Sequence, residues 1–289
     1  MKSFLFTFFS LLILPISIIF GQSKDIYLIV RADDIGMTRA VNQACIDVFT
    51  DGIAKSVEIM VPTPWFNEAV EFLNEYPEYD VGIHLTLTSE WTNLKWRPLT
   101  HAPSLTDESG YFHPFIWKNN VPGATFLLES EWKIKEVEAE LRAQIELAKA
   151  KLPHLSHYTG HMGCSHADPK IKAIVDKLAE EYEIEIDLEK YGMKHMKGFG
   201  GNTLSVEEKV DNFINNLNDL TPGVWLFVDH PGYITREMEG VGHIGYENVA
   251  FDREGVTKAF TSQRVINAIK AKGIKLVSYR ELSEVLKKQ

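Results

Sequence analysis

The sequence predicts an α/β fold in which parallel strands are joined by crossover helices. Apolar runs of strand length alternate with amphipathic segments of helical period, about seven times along the chain. The first run, residues 25–33, is rich in β-branched residues and almost continuously apolar, as a strand buried on both faces requires. The chain has 289 residues, and the roughly 267 that follow residue 22 suit one α/β barrel. The alternation fits an open sheet as well as a barrel. No G-x-G-x-x-G or Walker loop follows the first strand, which argues against a nucleotide-binding sheet.

The N-terminus reads as an export signal. Met1 and Lys2 give a short positive start, and residues 4–20 are almost wholly apolar. Gly21, Gln22 and Ser23 then precede Lys24 and Asp25. Residues 1–22 are expected to be removed, leaving residues 23–289 as one exported domain, periplasmic or extracellular. The alternative is an uncleaved anchor, because the run is nearly long enough to span a bilayer. No cysteine lies at the exit, which argues against a lipoprotein.

The remaining elements follow in order. Residues 38–50 carry apolar side chains at helical spacing, and Asp51-Gly52 stops them. Residues 56–61 form a strand, a helix opens at Pro64 and runs to Tyr76, and residues 80–87 form the third strand. Residues 89–129 are irregular and rich in Trp, Phe, His and Pro; a loop this long is usually functional or mobile. Helices are expected at 130–151, 169–181, 206–217, 257–272 and 279–288, and strands at 155–158, 184–188, 223–229 and 274–278.

Composition excludes some partners. The net charge of −10 lacks the positive field that phosphate backbones require, so no nucleic acid is expected. Hydrophobic content of 45% is that of an ordinary globular domain. Cys45 and Cys164 are too few for a four-cysteine zinc site, and are expected as free buried thiols.

Five candidate residues, at four places, stand where chemistry is expected in an α/β barrel, at strand C-termini. Asp33-Asp34 closes the first strand, His84 sits near the end of the third, His161 follows residues 155–160, and His230 follows residues 223–229. Each alone reads as readily as a helix cap or a core histidine. Together they place imidazoles and a carboxylate at one mouth, with room for an open metal position. His157 and His166 are weaker candidates.

Four ordered motifs resemble the YdjC/ChbG–HpnK carbohydrate deacetylase family: R-A-D-D-I-G-M-T at 31–38, G-I-H-L-T-L-T at 82–88, S-H-Y-T-G-H-M-G at 156–163 and D-H-P-G-Y at 229–233. The resemblance implies a single distorted (β/α) barrel related to TIM barrels. It implies removal of acetyl groups from N-acetylated sugars with a divalent metal, magnesium by resemblance and zinc or another transition metal by donor type. Carried over by position, Asp34, His84 and His161 are the implied metal ligands, Asp33 the general base and His230 a second catalytic group. Asp252-Arg253 is a further polar pair of the family. Thr159 and Gly163 depart from it: many members have Asp and His there, so the surroundings of the metal ligands are expected to differ. Two other readings stay open, a different metal enzyme such as an amidase or sugar isomerase, and an exported sugar-binding protein without chemistry.

Overall fold

The computed structural model describes residues 24–186 and 188–287. The predicted signal segment, residues 1–22, lies outside the described residues. Seven strands form one sheet: β1 (Ile26–Ile35), β2 (Ser56–Ile59), β3 (Asp80–Leu85), β4 (Leu155–Gly160), β5 (Lys194–His195), β6 (Gly223–Asp229) and β7 (Lys275–Leu276). Their order is β4-β3-β2-β1-β6-β5, with β7 against the start of β1. Every pairing between these seven strands is parallel. No ladder joins β4 to β5 among these residues, so the sheet is a half-barrel, open along that seam. The expected parallel α/β architecture therefore holds, with the barrel distorted to the point of being open.

The helices are α1 (Arg39–Thr50), α2 (Phe66–Glu75), α3 (Ile134–Lys151), α4 (Pro169–Glu181), α5 (Val206–Asp219), α6 (Val249–Phe260), α7 (Gln263–Lys272) and α8 (Tyr279–Lys287). Local chemistry sets their starts. The Thr38 hydroxyl accepts from the Val41 amide, Asp168 caps the helix that Pro169 opens, and Ser205 with Glu208 forms a capping box. None is long and apolar enough to cross a membrane among the described residues. Apolar faces pack against the sheet; Phe199, Phe213, Phe227 and Phe260 form one cluster with ring centroids 4.8 to 6.3 Å apart.

Two expectations fail locally. In the expected strand 184–188, residues 184–186 and Leu188 lie in no strand, and the sheet position is taken by the two-residue β5 further on; Ile184 and Leu188 bury themselves as loop anchors instead. The single helix expected at 257–272 is two, α6 starting at Val249 and breaking at Thr261-Ser262 before α7. The Thr261 hydroxyl bonds the Thr257 carbonyl at 2.9 Å, a competitor to continued helix.

The long aromatic loop packs itself down. Trp91, Trp96, Phe112, His113 and Phe115 are buried, and Glu140 of α3 receives the Leu99 and Thr100 amides at 3.1 and 2.9 Å. Trp117 and His101 are exposed, and Tyr111 and Phe126 are partly buried.

Candidate metal centre

The site grows from a kink at the end of β1. Side chains along a strand alternate between faces, so Asp33 and Asp34 would normally diverge. Asp34 instead has φ 75°, in the left-handed region, and the β1–β2 register slips between Ala32 and Ile35. Such backbone strain in a non-glycine residue persists only when its surroundings impose it. Its effect is to turn both carboxylates toward one imidazole: Asp33 Oδ2 and Asp34 Oδ1 lie 3.7 and 3.6 Å from His84 Nε2.

His161 arrives from the end of β4, with Nδ1 3.3 Å from Asp34 Oδ1. One donor atom each from Asp34, His84 and His161 lies within 4.8 Å of the others, and all three residues are buried. Asp34 Oδ1 is buried without a hydrogen-bond partner. An orphaned carboxylate oxygen facing two imidazole nitrogens is a donor set that a divalent cation fits.

The surroundings hold these groups in place. The other oxygen of Asp34 accepts from Arg253 Nη2 of α6 at 2.7 Å. His161 Nε2 is 3.0 Å from Glu90 Oε2, the carboxylate–histidine pairing that orients metal-binding imidazoles. His84 Nδ1 is 2.8 Å from the Thr159 hydroxyl. Asp33 is gripped on both oxygens by Arg31, at 2.7 and 2.9 Å, and Arg31 in turn donates to the Tyr279 hydroxyl at 2.9 Å. His230, just past β6, stands across from Asp33, with Nε2 4.0 Å from Asp34 Oδ2 and Nδ1 3.5 Å from Asp229 Oδ1. Its side chain is 40% exposed. Arg31, Glu90 and Arg253, with the two aspartates and the three histidines His84, His161 and His230, line a cleft of about 400 Å³ together with Trp91, His243 and Tyr246. A neighbouring cleft of about 520 Å³ follows the open β4–β5 seam and meets the first at Arg31, Gly160 and Gly163.

Charges in the site are pushed apart. Burial pulls the His84 pKa well below its ordinary value, with His161 adding to the effect, so His84 is neutral. Burial pulls His161 the same way, but Glu90 and Asp34 outweigh it and lift His161 to about 10. Burial likewise opposes ionisation of Asp34, yet Arg253, His230 and His161 hold it well below the carboxylate range. In Asp33 burial wins over Arg31 and raises the pKa. Burial lowers His230, but Asp34 and Asp229 more than reverse it, and the net shift is upward.

All five residues singled out from the sequence meet here. His157 and His166 do not: His157 lies beneath the cleft on Glu58, and His166 bonds Ser165. Asp252 and Arg253 part company, Arg253 holding Asp34 while Asp252 takes buried Lys209 at 2.6 Å. Sequence reasoning missed Glu58 and Glu90. Glu58 had a legible signal, an acid inside the apolar run 56–61; Glu90 had none. Cys45 and Cys164 are free and buried, as expected.

A half-barrel of parallel strands whose C-termini bring three imidazoles and two carboxylates into one cleft gives the protein the architecture of an α/β barrel-type enzyme, with its candidate site at the strand ends. The family follows from comparison: a profile described as YdjC-like protein matches residues 27–271, and the chain belongs to that family. It is similar to a carbohydrate deacetylase of Thermoanaerobacter pseudethanolicus, 26% identical over 264 residues, covering 88% of this chain and 98% of that one. A carbohydrate deacetylase of Brevibacillus brevis is 29% identical over 267 residues, with 88% and 99% covered. A crystal structure of an Enterococcus faecalis protein named for cellobiose-phosphate cleavage matches with TM-score 0.70 at 25% identity, over 89% of this chain and 99% of that one.

Proposed function

We propose that this chain is a carbohydrate deacetylase, a metal-dependent hydrolase that removes acetyl groups from N-acetylated sugars. The observation that carries the reading is the convergence of Asp34 Oδ1, His84 Nε2 and His161 Nδ1, with Asp33 and His230 on either side. Relatives of nearly full coverage that are named carbohydrate deacetylases support it. A divalent ion held by those three atoms would polarise an acetamide carbonyl and lower the pKa of water. Two imidazoles and a carboxylate suit zinc, cobalt, manganese or iron at least as well as magnesium.

The chain's own groups supply the proton traffic. Asp33, kept ionised by Arg31 yet made more basic by burial, takes a proton from the attacking water. The water oxygen bonds the acetyl carbon, and the carbon–nitrogen bond breaks. His230, cationic and open to solvent, donates to the developing oxyanion or to the departing amine. The products are acetate and a free amino sugar. If residues 1–22 direct export, this chemistry takes place outside the cytoplasm.

The test is acetate release from a panel of N-acetylated sugars, with protein loaded with Zn²⁺, Co²⁺, Mn²⁺ or Mg²⁺. Asp33→Asn is expected to keep the metal and lose about 10²–10⁴-fold in turnover. His84→Ala and His161→Ala are expected to lose the metal as well. Full turnover in Asp33→Asn would remove the base assignment; binding of sugar without acetate release in any metal form would remove the deacetylase reading.

A further inference from the structure

Beneath the metal ligands lies a second layer of buried polar groups that the mechanism above does not use. Strand register creates it. Glu58 of β2 stands beside Gly82 of β3, and Gly82 beside His157 of β4. Gly82 leaves the space for the outer two to meet: a Cβ there would fall 2.4 Å from the Glu58 carboxylate and 2.6 Å from His157 Nε2. Glu58 Oε1 is 2.7 Å from His157 Nε2. Two residues on, and therefore on the same face, His84 stands beside Thr159. The Thr159 hydroxyl is 2.6 Å from Glu58 Oε2 and 2.8 Å from His84 Nδ1.

The direction of each hydrogen bond is forced. A carboxylate only accepts. Thr159 has one hydroxyl hydrogen, and it goes to Glu58. The hydroxyl oxygen is then an acceptor toward His84, so Nδ1 of His84 carries the hydrogen and Nε2 does not. At the far end, Ser156 gives its hydrogen to Asp80 and so accepts from His157 Nδ1, 2.7 Å away. His157 therefore donates from both nitrogens, and its Nε2–H holds Glu58 as an acceptor. Asp80 is fixed by the Arg280 amide at 2.8 Å and by its guanidinium at 3.3 Å.

We propose that Glu58, acting through the Thr159 hydroxyl, is a positioning residue that fixes His84 as the Nδ1–H tautomer and so presents a bare Nε2 to Asp34. The inference rests on the metal-site reading above, and deepens it. It gives Thr159 a role: a hydroxyl there carries the polarity of a carboxylate one layer below up to the ligand. The general form, a carboxylate orienting a metal-binding imidazole, is common; here the hydroxyl bridge and the glycine gap that admits Glu58 are the means.

The experiment uses the mature protein labelled with ¹⁵N-histidine. Two-bond ¹⁵N–¹H spectra near neutral pH report the tautomer of His84 without metal, with its signals assigned by their loss in His84→Asn. Zn²⁺ affinity is measured in parallel by chelator competition for wild type, Thr159→Val, Thr159→Ser and Glu58→Gln. The expected result is an Nδ1–H His84 in wild type. Thr159→Val should bind Zn²⁺ about 10–100-fold more weakly, and Thr159→Ser should recover most of that loss. Glu58→Gln should behave like Thr159→Val, because an amide can donate to Thr159 and reverse the relay. An Nε2–H His84 in wild type, or a folded Thr159→Val that binds Zn²⁺ within about twofold of wild type, overturns the proposal. If Thr159→Val and Glu58→Gln fail to fold, the wild-type tautomer decides alone. Neither readout depends on turnover, so absence of acetate release would sink the deacetylase reading and leave this one standing.

Discussion

Removing the cation from the buried Lys209–Asp252 pair should destabilise the fold more than almost any single surface change. Lys209 of α5 is buried, and its Nζ donates to Asp252 Oδ1 of α6 at 2.6 Å while lying 4.7 Å from the Phe199 ring centroid. The Tyr246 hydroxyl donates to the other carboxylate oxygen. Lys209→Met keeps most of the aliphatic stem against Phe199 but leaves Asp252 buried with one neutral donor. Breaking a buried pair from one side costs about 3–5 kcal/mol. At roughly 2 °C per kcal/mol for a chain of this size, the unfolding midpoint should fall by about 6–10 °C. Asp252→Leu, which strands the buried Lys209 cation instead, should cost a similar amount. The double variant Lys209→Met/Asp252→Leu should recover most of it, less about 1 kcal/mol for the stranded Tyr246 hydroxyl. Thermal and urea unfolding of the four proteins gives the cycle. A Lys209→Met protein within about 0.5 kcal/mol of wild type would refute the reasoning, since only a solvated pair is worth so little.

Trp117 is 50% exposed, and its ring lies over Gly163, where φ is 72° and an added Cβ would come within 3.2 Å of it. Gly163 lines the cleft, so Trp117→Ala should raise KM for N-acetylated oligosaccharides about 5–30-fold, the scale of losing one aromatic anchor, and less for a single sugar; equal effects on both would refute a stacking role. Burial pushes the Cys164 thiol up to about 12, so the reactive thiolate is scarce below that pH. Thiol titration of the native protein near pH 8 should therefore find Cys164 unreactive, with reaction appearing only on unfolding. Rapid labelling in the folded state would show that the pocket around Cys164 opens.

The helix and strand periods were legible because they are local. The run at 223–229 is β6 to the residue, and Pro169 opens α4 where its fixed φ and missing donor allow. The five site residues were legible because each ends a strand, and parallel strands bring their C-termini to one edge. The single strand misread, 184–188, shows the limit: Ile184 and Leu188 are apolar enough for a strand but bury as anchors of a loop, and nothing local distinguishes the two. The break between α6 and α7 was hidden for the same reason, since Thr261-Ser262 carries no glycine or proline.

The sequence by itself determined the parallel α/β architecture, the acidic surface and the identity of the residues at the mouth of the cleft, because periodicity and turn chemistry act over a few residues. Only the tertiary structure decided how those residues are held. The left-handed backbone at Asp34 that turns two adjacent carboxylates toward one imidazole, the pairing of Glu90 with His161, and the packing of most loop aromatics away from the cleft all depend on contacts between distant segments. Glu58 reaches His84 through Thr159 only because the register of β2, β3 and β4 places Gly82 between Glu58 and His157. A shift of one residue in any of these strands would turn its side chains to the other face, and register is fixed by the packing of the whole sheet.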